Sequence, residues 1–289
     1  MLKSCLLEKQ EDTIKYLEKY FVKEKIKDAL FINPYEKNVY DYSIIKYISE
    51  KEIIKKLIGI RRYTTCYYGD EKSLEGIDSN FSEEEKANAK QEMYKIIKLR
   101  LDLRIKNINE LTRKGKVSLP GVGCKLLDCC SGDCYIGTRI ADKFGYDYYA
   151  YEINVYNVDY SQGKRIYVNN NRLPYNNAEF DVILMFHSLH KINSLLFNET
   201  LTKAKKGCVL IMREHDVNSE YSNKIACIES ILHEICFNRN SYDNAVKSFG
   251  SYLNKYNWEK NLSLHGFERK HEIIVNPKTK CGAYIYIKY

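Results

Sequence analysis

Two groups of residues in this chain have types and spacing suited to chemistry. The first lies in residues 124–155, CKLLDCCSGDCYIGTRIADKFGYDYYAYEINV, where Asp128 precedes a turn around Gly132 and Asp133, and Glu152 ends an aromatic run. Acids on either side of such a turn can hold a nucleoside. The turn lets backbone approach a ligand and aims amides at a carboxylate or phosphate, while the second acid accepts hydrogen bonds from ribose hydroxyls. The second group is Phe186-His187-Ser188-Leu189-His190 together with Arg213-Glu214-His215-Asp216. His187 can serve as a base, contact a cofactor or cap a strand. Glu214 and His215 can act on a substrate, with Arg213 and Asp216 facing it, or the four charged residues can form a structural ion network.

The surrounding pattern says what must position these side chains. Lys125 to Asp128 end a short apolar run, Ile136 to Phe144 repeat apolar positions at helical spacing, and Tyr148 to Tyr151 form a second apolar and aromatic run. The order is strand, tight turn, helix, strand, a βαβ unit with carboxylates at the carboxyl ends of both strands, where ligands sit in an open parallel sheet. Lys164 to Val168 predict a further strand, Leu173-Pro174-Tyr175 an ordered loop, and Phe180 to Phe186 a buried parallel strand. Leu195 to Lys203 predict a helix stopped by Lys205-Lys206-Gly207, and Cys208 to Met212 the fifth strand. Near the end, Trp258, Leu262 and Leu264 lead into His265-Gly266-Phe267, and Glu272 to Val275 and Ala283 to Ile287 form two strands about a PKTKCG turn.

The turn lacks the spaced glycines of a dinucleotide site. It resembles the first motif of class I S-adenosylmethionine (SAM) dependent methyltransferases, an acid followed by glycine at alternating positions. Only Gly132 stands as glycine; Cys130 and Cys134 occupy the flanking glycine positions, and their Cβ atoms disfavour positive φ. The LP segment before the fourth strand, KKGCVLIMREHD, and the GF step before a closing hairpin are similar to the same family's later signatures. The REHD ending resembles uncharacterised methyltransferases of large DNA viruses. The resemblance spans roughly residues 91–289 and implies an α/β fold: a Rossmann-like, seven-stranded methyltransferase sheet with an antiparallel C-terminal hairpin, preceded by a mostly helical extension over 1–90.

What the resemblance implies for the site follows residue by residue. Asp128, Cys130, Gly132, Asp133 and the turn amides would hold the methionine part of SAM, Glu152 the ribose hydroxyls, and Asn169, Asn170 and Leu173 the adenine, with Phe186 beside the cofactor. The D/N-P-P-Y/F sequence of enzymes acting on exocyclic amines is absent after the fourth strand. A histidine there resembles methyltransferases acting on other atoms, including guanine-N7 cap enzymes. The implied activity is methyl transfer, with RNA and its cap as the first acceptor class, a small molecule as the enzyme alternative, and a non-catalytic binding or stimulatory subunit as the alternative from another class.

The rest of the chain is less explicit. Residues 1–58 read as charged helical blocks broken at Pro34, which can cap the active site or offer a partner surface but are best explained by packing onto the following domain. Arg61, Arg62 and Tyr63 in GIRRYTTCYYGDEK suit stacking on nucleobases and pairing with phosphate, and equally a plain β-segment. Residues 82–114 give the clearest helix, N-capped by Ser82 and ended by Gly115, its later basic face read as solvated. Residues 217–250 contain a helix and a polar stretch that can act as a lid or fill the sheet face. The net charge of +8 favours an anionic partner such as RNA, and a partner protein fits the non-catalytic alternative. The ten cysteines lack paired CxxC knuckles, so Cys124, Cys129, Cys130 and Cys134 are read as packing and turn residues and no metal is expected. With no membrane-length apolar run and a start that turns charged at once, the expected location is the cytoplasm.

Overall fold

The computed structural model describes residues 98, 101–153, 160–219, 253–276 and 280–289. All but residues 98 and 219 belong to one compact unit, Arg100–Asn218 with Ser251–Tyr289. The expected domain boundary near residue 90, the segment carrying Arg61, Arg62 and Tyr63, and the expected helix after residue 219 lie outside the described residues.

Seven strands form one sheet: β1 Lys125–Cys129, β2 Asp147–Glu152, β3 Arg165–Tyr167, β4 Phe180–Phe186, β5 Ala204–His215, β6 Phe267–Asn276 and β7 Cys281–Lys288. Their spatial order is β3-β2-β1-β4-β5-β7-β6. The first five run parallel, and β7 pairs antiparallel with both β5 and β6. This is the seven-stranded arrangement with a closing hairpin that the resemblance implied. The strand order reverses between β1 and β4, so the crevice at their carboxyl ends is where a ligand is expected.

Alternate residues of the central strands feed two cores, because successive side chains of a strand point to opposite faces. One core holds Leu127, Ile183, Met185 and Leu210 with Leu196 and Leu201 of helix α3 (Ser194–Thr202) and Trp258 and Leu262 of α4 (Lys255–Leu264). The other holds Leu126, Val182, Leu184 and Ile211 with Ile108 and Leu111 of α1 (residues 101–115) and Ile140 and Ala141 of α2 (Tyr135–Phe144). Covered on both faces, the parallel strands read as near-continuous apolar runs, which is why they are easy to find in the sequence. Among the described residues, no helix is long and apolar enough to cross a membrane.

Two boundaries differ from expectation. Lys205-Lys206-Gly207 does not stop a helix ahead of a strand; it lies inside β5, as a bulge where the pairing shifts between Phe180 and Val182. Lys205 is held there by both carboxylate oxygens of Asp181, at 2.8 and 2.9 Å. Helix α1 runs through Gly115, and Lys116 takes the left-handed position at φ 52. Val117 N then donates to Thr112 O at 2.9 Å, the backbone closure that follows a left-handed helix end.

Candidate functional site

The turn after β1 contains three alternating left-handed residues: Cys130 at φ 50, Gly132 at φ 60 and Cys134 at φ 69. These are the three glycine positions of the resembled motif, and at the two cysteines a Cβ stands where it is disfavoured. Packing holds the cysteines in place. Cys134 is fully buried and its thiol donates to Ser131 Oγ at 3.2 Å, and Cys130 packs half-buried against the core of Leu127 and Tyr151. Burial pushes the thiols of Cys129 and Cys130 well up and that of Cys134 up to about 11.

Glu152 staples this turn to the end of β2. Its Oε2 accepts from Gly132 N and its Oε1 from Ile153 N, both at 2.7 Å, and the residue is 2% exposed. Ser131 N also donates to Tyr151 O at 3.1 Å, and the Arg165 guanidinium on β3 donates to Gly132 O.

Asp128 lies beneath the turn, buried, with the Tyr148 hydroxyl donating to Oδ2 at 2.8 Å. Burial pushes its carboxyl up to about 7; the Tyr148 hydrogen bond opposes this, and the nearby charges of Glu152 and Asp133 add to it. Directly behind it is Gly137 in the first turn of α2, where a Cβ would lie 1.9 Å from Asp128 Oδ2. Only glycine permits that approach of helix to strand. Neither Gly137 nor Tyr148 was assigned from the sequence; a lone glycine inside a helical pattern was the available signal.

The remaining cofactor candidates divide. Asn169 and Asn170 are exposed, following Val168, whose N donates to Glu152 O at 2.9 Å, so they stand beside the Glu152 end of the cradle. Leu173 does not: its side chain is in the core, 5% exposed, and its N donates to Glu199 Oε1 at 3.1 Å, because the apolar residue of the loop is what anchors it. Asp133 accepts from Tyr135 N at 3.0 Å, so its carboxylate sits at the amino end of α2, where a ligand carboxylate would otherwise be drawn. Phe186 packs on the α1 face, with the Arg104 guanidinium 5.1 Å from its ring centre.

The second cluster forms at the carboxyl ends of β4 and β5. Glu214, 2% exposed, accepts from His190 Nδ1 at 3.0 and 3.1 Å, from Leu189 N at 3.1 Å and from His215 N at 2.9 Å. Burial by itself pushes its carboxyl up, but the charge and hydrogen bond of His190, joined by His187 and His215, win and hold it well below the usual carboxylate range. His187 takes φ 56, its N donates to Arg213 O at 2.7 Å, and its ring centre is 5.0 Å from that of His215. His190, whose ring donates to both oxygens of Glu214, had no role of its own assigned from the sequence.

Two members expected at a substrate surface make contacts within the protein. Arg213 is 7% exposed and its Nε donates to Cys281 Sγ at 3.2 Å, a cross-strand contact between β5 and β7. Asp216 Oδ1 accepts from Lys255 N at 2.8 Å and Asp216 N donates to Lys280 O at 2.9 Å, fixing the start of α4. The amides at a helix start need such an acceptor.

No protein-family model and no curated protein sequence matches the chain. Solved structures with a related chain path include geranyl diphosphate C-methyltransferase from Streptomyces coelicolor A3(2), at 11% identity and TM-score 0.48 over 80% of this chain and 98% of that one. A putative sarcosine dimethylglycine methyltransferase from Galdieria sulphuraria matches at 13% identity and TM-score 0.47 over 67% and 88%. A SAM-dependent methyltransferase from Methanosarcina mazei matches at 17% identity and TM-score 0.43 over 58% and 94%. At these values the functional reading rests on the chain's own residues and strand order.

Proposed function

We propose that this protein binds SAM and transfers its methyl group to an acceptor. The observation that carries the reading is the turn at the β1–β4 switch point: three alternating left-handed residues, Cys130, Gly132 and Cys134, stapled to the Glu152 carboxylate at the end of the neighbouring strand. The residues fit such a ligand in charge and hydrogen bonding. Asp128 offers a carboxylate to the methionine ammonium, Glu152 offers acceptor positions to ribose hydroxyls, and Asn169 and Asn170 offer amides to an adenine edge. Asp133 has to leave the amino end of α2 for the methionine carboxylate to take its place.

The cofactor's sulfonium supplies an activated methyl group with a good leaving group. The protein's own contribution is to hold the acceptor in line with it and exclude water, with the His187, Glu214 and His215 cluster bordering the acceptor side. We assign RNA, including its cap, as the acceptor class, supported by the net charge of +8. Methyl transfer from labelled SAM to an RNA pool, and not to small acceptors, tests this; transfer only to a small acceptor would replace RNA in the assignment. The REHD segment supports kinship with methyltransferases of large DNA viruses.

A second reading has its own support. Cβ atoms at Cys130 and Cys134, and a carboxylate already at the start of α2, favour a protein of this fold that has given up the cofactor and acts as a binding or stimulatory subunit. A folded chain that takes up no SAM by itself, but acquires affinity when both cysteines are replaced by glycine, would establish it.

A further inference from the structure

At the carboxyl ends of β4 and β5, a ring nitrogen of His187, a carboxylate oxygen of Glu214 and a ring nitrogen of His215 all lie within 4.8 Å of one another. Two imidazoles and one carboxylate are the donor set that borderline divalent ions such as zinc(II), cobalt(II) and iron(II) take, and three protein ligands leave positions open for water or an oxygen of a ligand. We propose that His187, Glu214 and His215 form a binding site for a divalent transition-metal ion.

Spacing is the first argument. His187 Nδ1 and Glu214 Oε1 are 4.0 Å apart, too long for a hydrogen bond. Tetrahedral ligands at about 2.1 Å from an ion stand about 3.4 Å apart, so a small inward rotation of the side chains closes the set around one. His215 completes the set by rotation of its ring, which stands tilted by 46° beside that of His187.

Burial gives the site an inside and an opening. The side chain of Glu214 is 3% exposed and that of His187 is 30% exposed, so the charged ligand is withdrawn from water and the open coordination positions lie toward His187.

The supporting layer is the third argument. Ligating histidines use their second nitrogen to fix tautomer and ring direction, and ligating carboxylates are themselves hydrogen-bonded. Here His187 Nε2 faces Cys281 Sγ at 3.9 Å, a sulfur also held by Arg213 Nε at 3.2 Å. A hydrogen on Nε2 directed at this sulfur leaves the Nδ1 lone pair toward Glu214. Glu214 in turn is oriented by Leu189 N, His215 N and His190 Nδ1, which makes His190 a positioning residue. The left-handed backbone of His187, disfavoured for a non-glycine residue, aims its ring into the cluster.

Ion binding here requires neither SAM nor an acceptor, so the site stands or falls apart from the cofactor reading. The test is a titration of the full-length protein, stripped with a chelator and dialysed, with cobalt(II). The expected result is saturation at one equivalent with visible ligand-field bands, reversed by zinc(II). His187→Ala and His215→Ala are each expected to weaken binding by more than about 100-fold, and Cys281→Ala, which removes the sulfur facing His187 Nε2, by about 10-fold to 100-fold. His265→Ala, remote from the cluster, leaves binding unchanged. His187→Asn, whose side chain tolerates a left-handed backbone, serves where the alanine variant folds poorly. Folded wild-type protein that takes up no cobalt(II) at millimolar concentration, or binding that survives loss of both histidines, overturns the proposal.

Discussion

Gly132 N donates to Glu152 Oε2 at 2.7 Å, so the turn after the first strand is held by the acid that ends the second. The acid assigned to ribose binding therefore also builds the turn assigned to the methionine part. Glu152→Gln keeps one acceptor but changes the charge-assisted bonds at Gly132 and Ile153. We expect a loss of about 1–3 kcal/mol in urea denaturation and a weakened affinity for SAM. A variant as stable as wild type would separate the two roles.

Gly137 is predicted to be irreplaceable. A Cβ there would meet Asp128 Oδ2 at 1.9 Å and Tyr148 at 2.8 Å, a collision with two buried groups that support each other. Gly137→Ala should cost about 3 kcal/mol or leave the protein insoluble, whereas Ala substitution at Gly121, which has nothing within 4 Å of the added Cβ, should be tolerated. Thermal melts of the two variants make the comparison.

The two cysteines of the turn should respond differently to glycine. Both relieve a left-handed backbone, worth about 1 kcal/mol each, but Cys134 is fully buried and bonded to Ser131 whereas Cys130 is half-buried. Cys130→Gly should therefore be near neutral or stabilising and Cys134→Gly destabilising by about 1 kcal/mol, measured by chemical denaturation. Equal effects would mean that backbone strain alone governs the turn.

Asp128 links stability to pH. Its folded-state pKa is raised to about 7 from 3.8, so the folded chain holds a proton that the unfolded chain has released over this range. The stability contributed is present below about pH 4, falls as pH rises, and is lost above about pH 7. Asp128→Asn, which still accepts from Tyr148, should flatten this dependence and be more stable than wild type at pH 8. An unchanged pH profile of the melting temperature would contradict the assignment.

His190 is expected to matter as much as any residue chosen from the sequence. Removing it leaves the buried Glu214 carboxylate short of a side-chain hydrogen-bond partner, which costs about 1–3 kcal/mol or more for a charged group. His190→Ala should unfold at markedly lower denaturant, with His190→Asn, which retains a donor, losing less.

Much of this was legible beforehand for a physical reason. β1, α2, β2, β4 and β7 carry uninterrupted apolar patterns because the sheet is covered on both faces, and Asp128, Gly132 and Glu152 fall at strand ends that those patterns locate. What was missed depends on partners distant in the chain. Asp216 meets Lys255 N from 39 residues away, the Leu173 side chain is taken up by the core, and His190 gains its role only from Glu214 on the next strand. The bulge at Lys205–Gly207 imitates a helix stop because the same residue types serve both. The left-handed torsions of Cys130 and Cys134 could not be inferred from cysteine, whose own preference opposes them.

The central claim is that the turn and its acids hold SAM, and calorimetric titration of the full-length protein with SAM and S-adenosylhomocysteine tests it most directly. We predict saturable one-to-one binding at micromolar Kd, about −8 kcal/mol, weakened at least tenfold by Asp128→Ala and by Glu152→Ala in variants that remain folded. Absence of binding by the folded wild-type chain would contradict the account and leave the non-catalytic subunit as its function.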